Sequence, residues 1–323
     1  MTSEARPPSW KILLAFGIIY VVWGSTFLAI RIGVHEVPPF LLAAVRFFTA
    51  GLVLYAWLRL KGTPAPNRRE WVSASALGAL IFLFDYGCLF WAEQRVPSGV
   101  TAVVLAIIPA FIALLEIIFL HTQKLTLRLG LALAVGIVGV AVLMNRSFSL
   151  SEAPIDRAGA LALLVASATW AVATILPRRL PLPESKAMSA AAQMVTGGAM
   201  LFVLAAVSRE FAGFHVQAVS RSAWFALIYL IIAGSIVGFT AYVWLLHYES
   251  PTKVGTYAYV NPVVAVCLGY FFGGESIGAR TLLGTLLVLV SVVTITTTKK
   301  NSAERVTTSA GGQLIENAGK QSA

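Results

Sequence analysis

The sequence predicts an all-α membrane protein with ten transmembrane helices arranged as two inverted repeats of five. Three observations predict it. Hydrophobic residues make up 58% of the chain and charged residues 12%, whereas a soluble domain carries about a quarter of its residues charged. Apolar runs of the roughly 20 residues needed to cross a bilayer core of about 30 Å can be marked off ten times between Lys11 and Thr298. The text also repeats. Trp23-Gly-Ser-Thr-Phe-Leu-Ala-Ile-Arg31 returns 147 residues later as Trp170-Ala-Val-Ala-Thr-Ile-Leu-Pro-Arg178, and Thr49-Ala-Gly51 returns at the same offset as Thr196-Gly-Gly198. Pro97, Pro109 and Gly130 have counterparts in Pro251, Pro262 and Gly284.

Span 1, residues 13–33, is too long for a signal-peptide core and is closed by Arg31 rather than a small-residue cleavage site, so it is expected to remain as an anchor. It carries Trp23, Ser25 and Thr26 at mid-depth. Span 2 (38–60) contains Arg46 and span 3 (71–92) contains Asp85, each seven or eight residues from the outer end and therefore at similar depth. Span 4 (98–120) holds Pro109 and, toward its cytoplasmic end, Glu116. Span 5 (126–144) holds Gly130, Gly136 and Gly139, which with Gly17 and Gly24 are expected to mark close helix contacts. Span 6 (157–177) carries Trp170, span 7 (186–207) carries Gln193, and span 8 covers 222–247. Span 9 (253–273) contains Thr256-Tyr-Ala-Tyr-Val-Asn-Pro262, unusually rich in hydrogen-bonding groups for mid-span, and span 10 covers 279–297.

With the N-terminus in the cytoplasm, 16 of the 24 basic residues fall on that side, seven fall outside and Arg46 lies within a span. The positive-inside rule thus places both termini in the cytoplasm. Five spans per copy make the second copy enter from the opposite side, the inverted arrangement used for alternating access. The expected organisation is a cytoplasmic tail (1–12), a first repeat (13–145), a second repeat (157–298) and a disordered cytoplasmic tail (299–323) rich in Ser, Thr, Gly and Asn.

Ionisable groups in hydrocarbon are costly and usually face the protein interior or a wet cavity. Arg46 and Asp85 are therefore either a static ion pair between spans 2 and 3 or a charged cavity wall on which Asp85 accepts a proton or a cation. Gln193 occupies the repeat equivalent of Arg46 and is either an interhelical hydrogen bond, worth about 0.6 kcal/mol on average, or a second polar contact on the pathway. Glu116 is a candidate for gating or proton relay, whereas Glu93 and Glu275, near span ends, read as solvated or capping carboxylates. Pro109 and Pro262 free backbone carbonyls and are candidate paired hinges. Tyr257, Tyr259 and Asn261 are the segment most suited to meet a small ligand, with Trp23, Ser25, Thr26 and Trp170 as further candidate lining.

The +10 formal charge lies between apolar runs and forms no basic face, so no nucleic-acid partner is expected. Cys88 and Cys267 fall inside apolar spans and read as buried small hydrophobes. The sequence contains no GxxxxGK[ST], HExxH or GxSxG motif, so neither nucleotide-driven pumping nor a recognised hydrolase is supported, and no cofactor or metal is implied. A membrane-embedded enzyme would need a convergent set of His, Asp or Glu at one depth, and only Asp85 lies at mid-span.

Trp23-Gly-Ser-Thr-Phe, Pro38-Pro-Phe40 with Arg46-Phe, Val96-Pro-Ser-Gly-Val-Thr-Ala102, Ser250-Pro, Tyr257-Ala-Tyr-Val-Asn-Pro-Val-Val-Ala-Val266 and Gly273-Gly-Glu275 together resemble the EamA-type transporters of the drug/metabolite transporter superfamily. The similarity is greatest to the YedA-like bacterial inner-membrane exporters. It implies export of small metabolites or amphipathic compounds from a cavity between two five-helix repeats, with protons as the candidate coupling ion. The expected partners are a small-molecule substrate and the lipid bilayer, with the protein a monomer or homodimer. An uptake carrier would share the same fold. The family's Gly-Glu between its fourth and fifth helices is present as Gly274-Glu275 but reads His121-Thr122 in the first half.

Overall fold

In the computed structural model the described residues are 7–120, 125–144, 156–249, 254 and 256–295, and no strand occurs among them. The helices are α1 (Ser9–Val34), α2 (Pro39–Leu60), α3 (Arg68–Glu93), α4 (Ser98–Phe119), α5 (Leu127–Met144), α6 (Arg157–Ile175) and α7 (Lys186–Val207). α8 runs as Arg221–Tyr229, Leu230–Val237 and Gly238–Tyr248, followed by α9 (Tyr257–Phe272) and α10 (Ala279–Ile295). Seven of these helices, α1 to α4 and α6 to α8, are long and apolar enough to cross a membrane, and α5, α9 and α10 contain shorter apolar stretches. The tail 299–323 lies outside the described residues.

Local chemistry sets the helix starts. Asn67 and Glu70 form a reciprocal capping box at α3, and Asp156, Ser185 and Ser220 each accept a first-turn backbone N–H at α6, α7 and α8. α2 has proline at its first position, where a missing N–H costs nothing. Both α3 and α8 change to π winding in mid-course, over Ala79–Tyr86 and Leu230–Val237. Each such segment turns the following side chains to a different side.

Two kinds of apolar surface follow. Leu13, Val21, Trp57, Leu127, Ile137, Phe225 and Phe271 are large, apolar and exposed, which suits contact with lipid chains. Inward, small residues let backbones approach. α2 and α7 meet where a Cβ on Gly51 would lie 2.7 Å from the Val195 nitrogen and one on Gly198 would lie 2.6 Å from the Phe48 nitrogen. These two glycines are repeat equivalents. Gly24 likewise admits Val264, and Gly136 and Gly139 admit Ser291 and Val288 of α10. Gly17 has nothing within 4 Å and Gly130 meets only Leu125 at that limit, so neither is the helix contact expected of it. Cys267 is exposed and Cys88 only partly buried, rather than both being buried.

At the end of the bundle where α1 closes, three carboxylates hold helix starts elsewhere in the chain. Glu275 accepts from the Ser98 N–H and hydroxyl at 2.7 Å each and from the Gly99 N–H at 3.1 Å. Its other partner is Arg31, at 3.3 Å. Glu36 accepts from the Ser220 N–H and hydroxyl at 2.6 Å each. Glu210 accepts from the N–H groups of Phe40 at 3.3 Å and Leu41 at 2.8 Å. Its approach to α2 depends on Arg209, whose φ of 58° puts it in the left-handed turn that commonly ends a helix.

Candidate functional site

A cavity of about 820 Å³, its open mouth included, lies among α1, α3, α4, α6 and α9. α1 contributes Trp23, Thr26, Phe27 and Ile30. α3 contributes Asp85 and Tyr86, the last two residues of its π segment, together with Leu89. α4 is interrupted at Ala106–Ile107 between Ser98–Leu105 and Ile108–Leu115. Pro109 has no N–H for the Leu105 carbonyl one turn back, and Leu105, Ala106 and Pro109 all face the cavity at this break. By contrast α9 runs unbroken through Pro262, which also lines the cavity with Tyr257, Ala258 and Asn261.

Trp23 is packed edge-on to Tyr257, with ring centroids 5.2 Å apart, and is tilted against Tyr242 at 5.1 Å. Its indole N–H donates to the Gly234 carbonyl in the π segment of α8 at 3.2 Å. Across the space, Tyr86 meets Trp170 edge to face at 6.2 Å. With its amide nitrogen turned toward the carbonyls of Tyr20 and Tyr257, Asn261 donates to both, at 3.2 and 3.3 Å. It thereby ties α1 to the first turn of α9.

Of the candidate lining residues, Trp23, Thr26, Asp85, Trp170, Tyr257 and Asn261 surround this space, while Ser25, Arg46 and Gln193 do not. Ser25 turns to the Tyr229 hydroxyl at 2.6 Å. Gln193 donates to Ser189, one turn earlier in its own helix, at 2.9 Å, rather than to another helix. The side chains of Tyr259 and Glu116 lie outside the described residues.

Arg46 and Asp85 form no ion pair. The Arg46 guanidinium, 1% exposed, lies over the rings of Phe47 at 4.5 Å, Tyr86 at 5.3 Å and Phe90 at 5.8 Å. Its Nε donates to Ser235 of the α8 π segment at 3.0 Å. Three rings and a hydroxyl therefore hold the cation away from Asp85. The Asp85 side chain, 3% exposed, faces the cavity and has no hydrogen bond or ion pair among the described residues.

Three features were not read from the sequence. Tyr86 is shared between the cavity and the Arg46 stack, and an aromatic ring beside a mid-span charge was its only signal. The π segments leave no mark in apolar periodicity. Glu93 is wholly buried, with both carboxyl oxygens lacking hydrogen-bond partners, rather than solvated at a span end. The Arg31 side chain seals the region above it by donating to the carbonyls of Glu93 at 3.1 Å and Val96 at 2.7 Å.

The profile of the EamA-like transporter family matches residues 9–145 and again residues 157–297. The Escherichia coli K12 protein named "Uncharacterized inner membrane transporter YedA" is 36% identical over 292 residues, covering 88% of this chain and 92% of its own length. The Bacillus subtilis protein named "Uncharacterized transporter YoaV" is 23% identical, with 87% and 95% coverage. A Salmonella typhimurium protein named "Probable amino-acid metabolite efflux pump" is 24% identical, with 85% and 91% coverage. A solved crystal structure superposes with a TM-score of 0.61 at 20% identity, covering 91% of this chain and 99% of the other, and shows likeness of fold alone.

Proposed function

The chain belongs to the EamA-like transporter family, and from that premise we propose that it is a secondary active transporter exporting small, partly apolar organic solutes across the cytoplasmic membrane by alternating access. The observation that carries this reading is the aromatic cavity itself. Its walls come from α1, α3 and α4 in the first family match and from α6 and α9 in the second, so movement of one repeat against the other would alter access to it.

In this reading the chain crosses the membrane ten times as two inverted five-helix repeats, with both termini in the cytoplasm. Export is taken from the name of the Salmonella relative, and the inner membrane from that of the Escherichia coli relative. Proton coupling falls to Asp85, the carboxyl on the cavity wall. Pro109, at the break in α4, is the better placed of the two hinge candidates.

Mass spectrometry of the medium tests it, comparing cells expressing the wild type with cells expressing Trp23→Ala, Asn261→Ala at matched membrane abundance. Export predicts metabolites enriched only by the wild type. Depletion of those metabolites from the medium would instead favour uptake, and identical media across a library of added amphipathic solutes would overturn the transporter reading.

A further inference from the structure

We propose that the cavity selects organic ammonium compounds, a single positive charge on an aromatic or branched apolar body, with Asp85 as their counter-ion; this rests on the transporter reading and narrows its substrate class.

Among the residues lining the cavity, Asp85 carries the only carboxyl group, and no Lys, Arg or His stands with it. Its carboxyl is buried, unpartnered and turned into the open space. A carboxylate taken out of water needs a cation or strong donors to offset its lost hydration. Among the described residues the protein supplies neither. Of the cations near this part of the bundle, Arg46 donates through Nε to Ser235 and lies over three rings, with one terminal nitrogen unpartnered and no ion pair to Asp85, and Arg31 is held by Glu275 and two carbonyls. The place beside Asp85 is thus left for a cation that arrives with the ligand.

The remaining wall agrees with that charge. Trp23, Tyr86, Trp170 and Tyr257 surround the space with aromatic rings, which attract an ammonium through their negative faces. Phe27, Ile30, Leu105 and Ile112 provide an apolar bed for the body of the ligand. Nothing on the wall offers a cation to a carboxylate or phosphate. A zwitterionic amino acid would therefore satisfy Asp85 and leave its own carboxylate unanswered, so amines are favoured over the corresponding amino acids.

Three probes of one shape separate the possibilities: 2-phenylethylamine, 2-phenylethanol and phenylalanine. Each is titrated into the purified full-length protein in lipid nanodiscs while tryptophan fluorescence is followed, because Trp23 and Trp170 line the site. The amine is expected to bind on the order of 30-fold more tightly than the alcohol or phenylalanine, the least expected for a desolvated charge pair. Asp85→Glu keeps that preference, and Asp85→Asn brings the amine down to the affinity of the alcohol. The wild-type comparison alone suffices should Asp85→Asn fail to fold. Equal binding of amine and alcohol, or tighter binding of phenylalanine, overturns the ammonium class and leaves the transporter reading in place. No response to any probe also overturns the ammonium class, whereas the transporter reading falls only if the medium experiment is blank as well.

Discussion

The Glu210 carboxylate, just beyond α7, accepts the Leu41 N–H in the first turn of α2 at 2.8 Å. α2 carries no side-chain cap of its own, so the acceptor its first turn needs comes from a turn 169 residues away in sequence.

Glu210 and Glu36 should respond oppositely to acid. Hydrogen bonds from Ser220 hold Glu36 below the ordinary glutamate value of 4.5, so its contribution is present above that value and fades as pH falls through the lowered one. Burial raises Glu210 above 4.5, against the opposing pull of the Leu41 and Phe40 N–H groups. The folded state thus gains relative to Glu210→Gln as pH falls from neutrality through the raised value, down to about 4.5. Melting temperatures of wild type, Glu36→Gln and Glu210→Gln between pH 3.5 and 8 check both signs. Curves parallel to the wild type would remove the assignment.

Glu275 joins a helix cap to an ion pair. Replacing it with alanine loses three hydrogen bonds to Ser98 and Gly99 and the contact to Arg31, an expected cost of about 1–3 kcal/mol. Arg31→Gln should cost less, because that side chain is partly exposed. In the double variant the losses should not add, since the two residues share one contact. Thermal unfolding of the four proteins in the same detergent measures the coupling.

Glycine substitutions should separate packed from open positions. Gly198→Val places side-chain atoms against the Phe48 backbone and is expected to prevent the α2–α7 contact from forming, seen as loss of a monodisperse peak on size exclusion. Gly17→Ala meets nothing within 4 Å and should be neutral or raise stability by up to about 1 kcal/mol through helix propensity.

Arg46 and Gln193 should behave as unequals despite their repeat equivalence. Arg46→Lys keeps the charge but loses the flat group stacked on Phe47, Tyr86 and Phe90 and the fixed Nε bond to Ser235. A marked drop in thermal stability is expected. Gln193→Ala removes one bond within α7 and should cost no more than about 1 kcal/mol.

These contrasts show what the sequence could convey. A polar or charged residue within an apolar run is visible at once, and Arg46, Asp85 and Asn261 are all buried in the bundle. Which wall each side chain reaches is not visible, because that depends on neighbours far away in sequence. Ser25 and Thr26 are adjacent, yet one turns to Tyr229 and the other to the cavity. The π segment in α3 decides where Asp85 and Tyr86 point, and apolar composition carries no trace of it. Depth along a span misled for Glu93, since a residue near a helix end is solvated only if nothing closes over it, and here Arg31 does.

The three carboxylates at the Arg31 end share one further property. Glu36 lies in the first family match and holds a helix start in the second, while Glu210 and Glu275 lie in the second and hold helix starts in the first. Releasing any one of them alone yields little freedom, because the other two still fasten the halves together. If transport runs by alternating access, parting at this end should therefore be abrupt and collective, like a latch with three teeth, with a threshold set by the last tooth to let go.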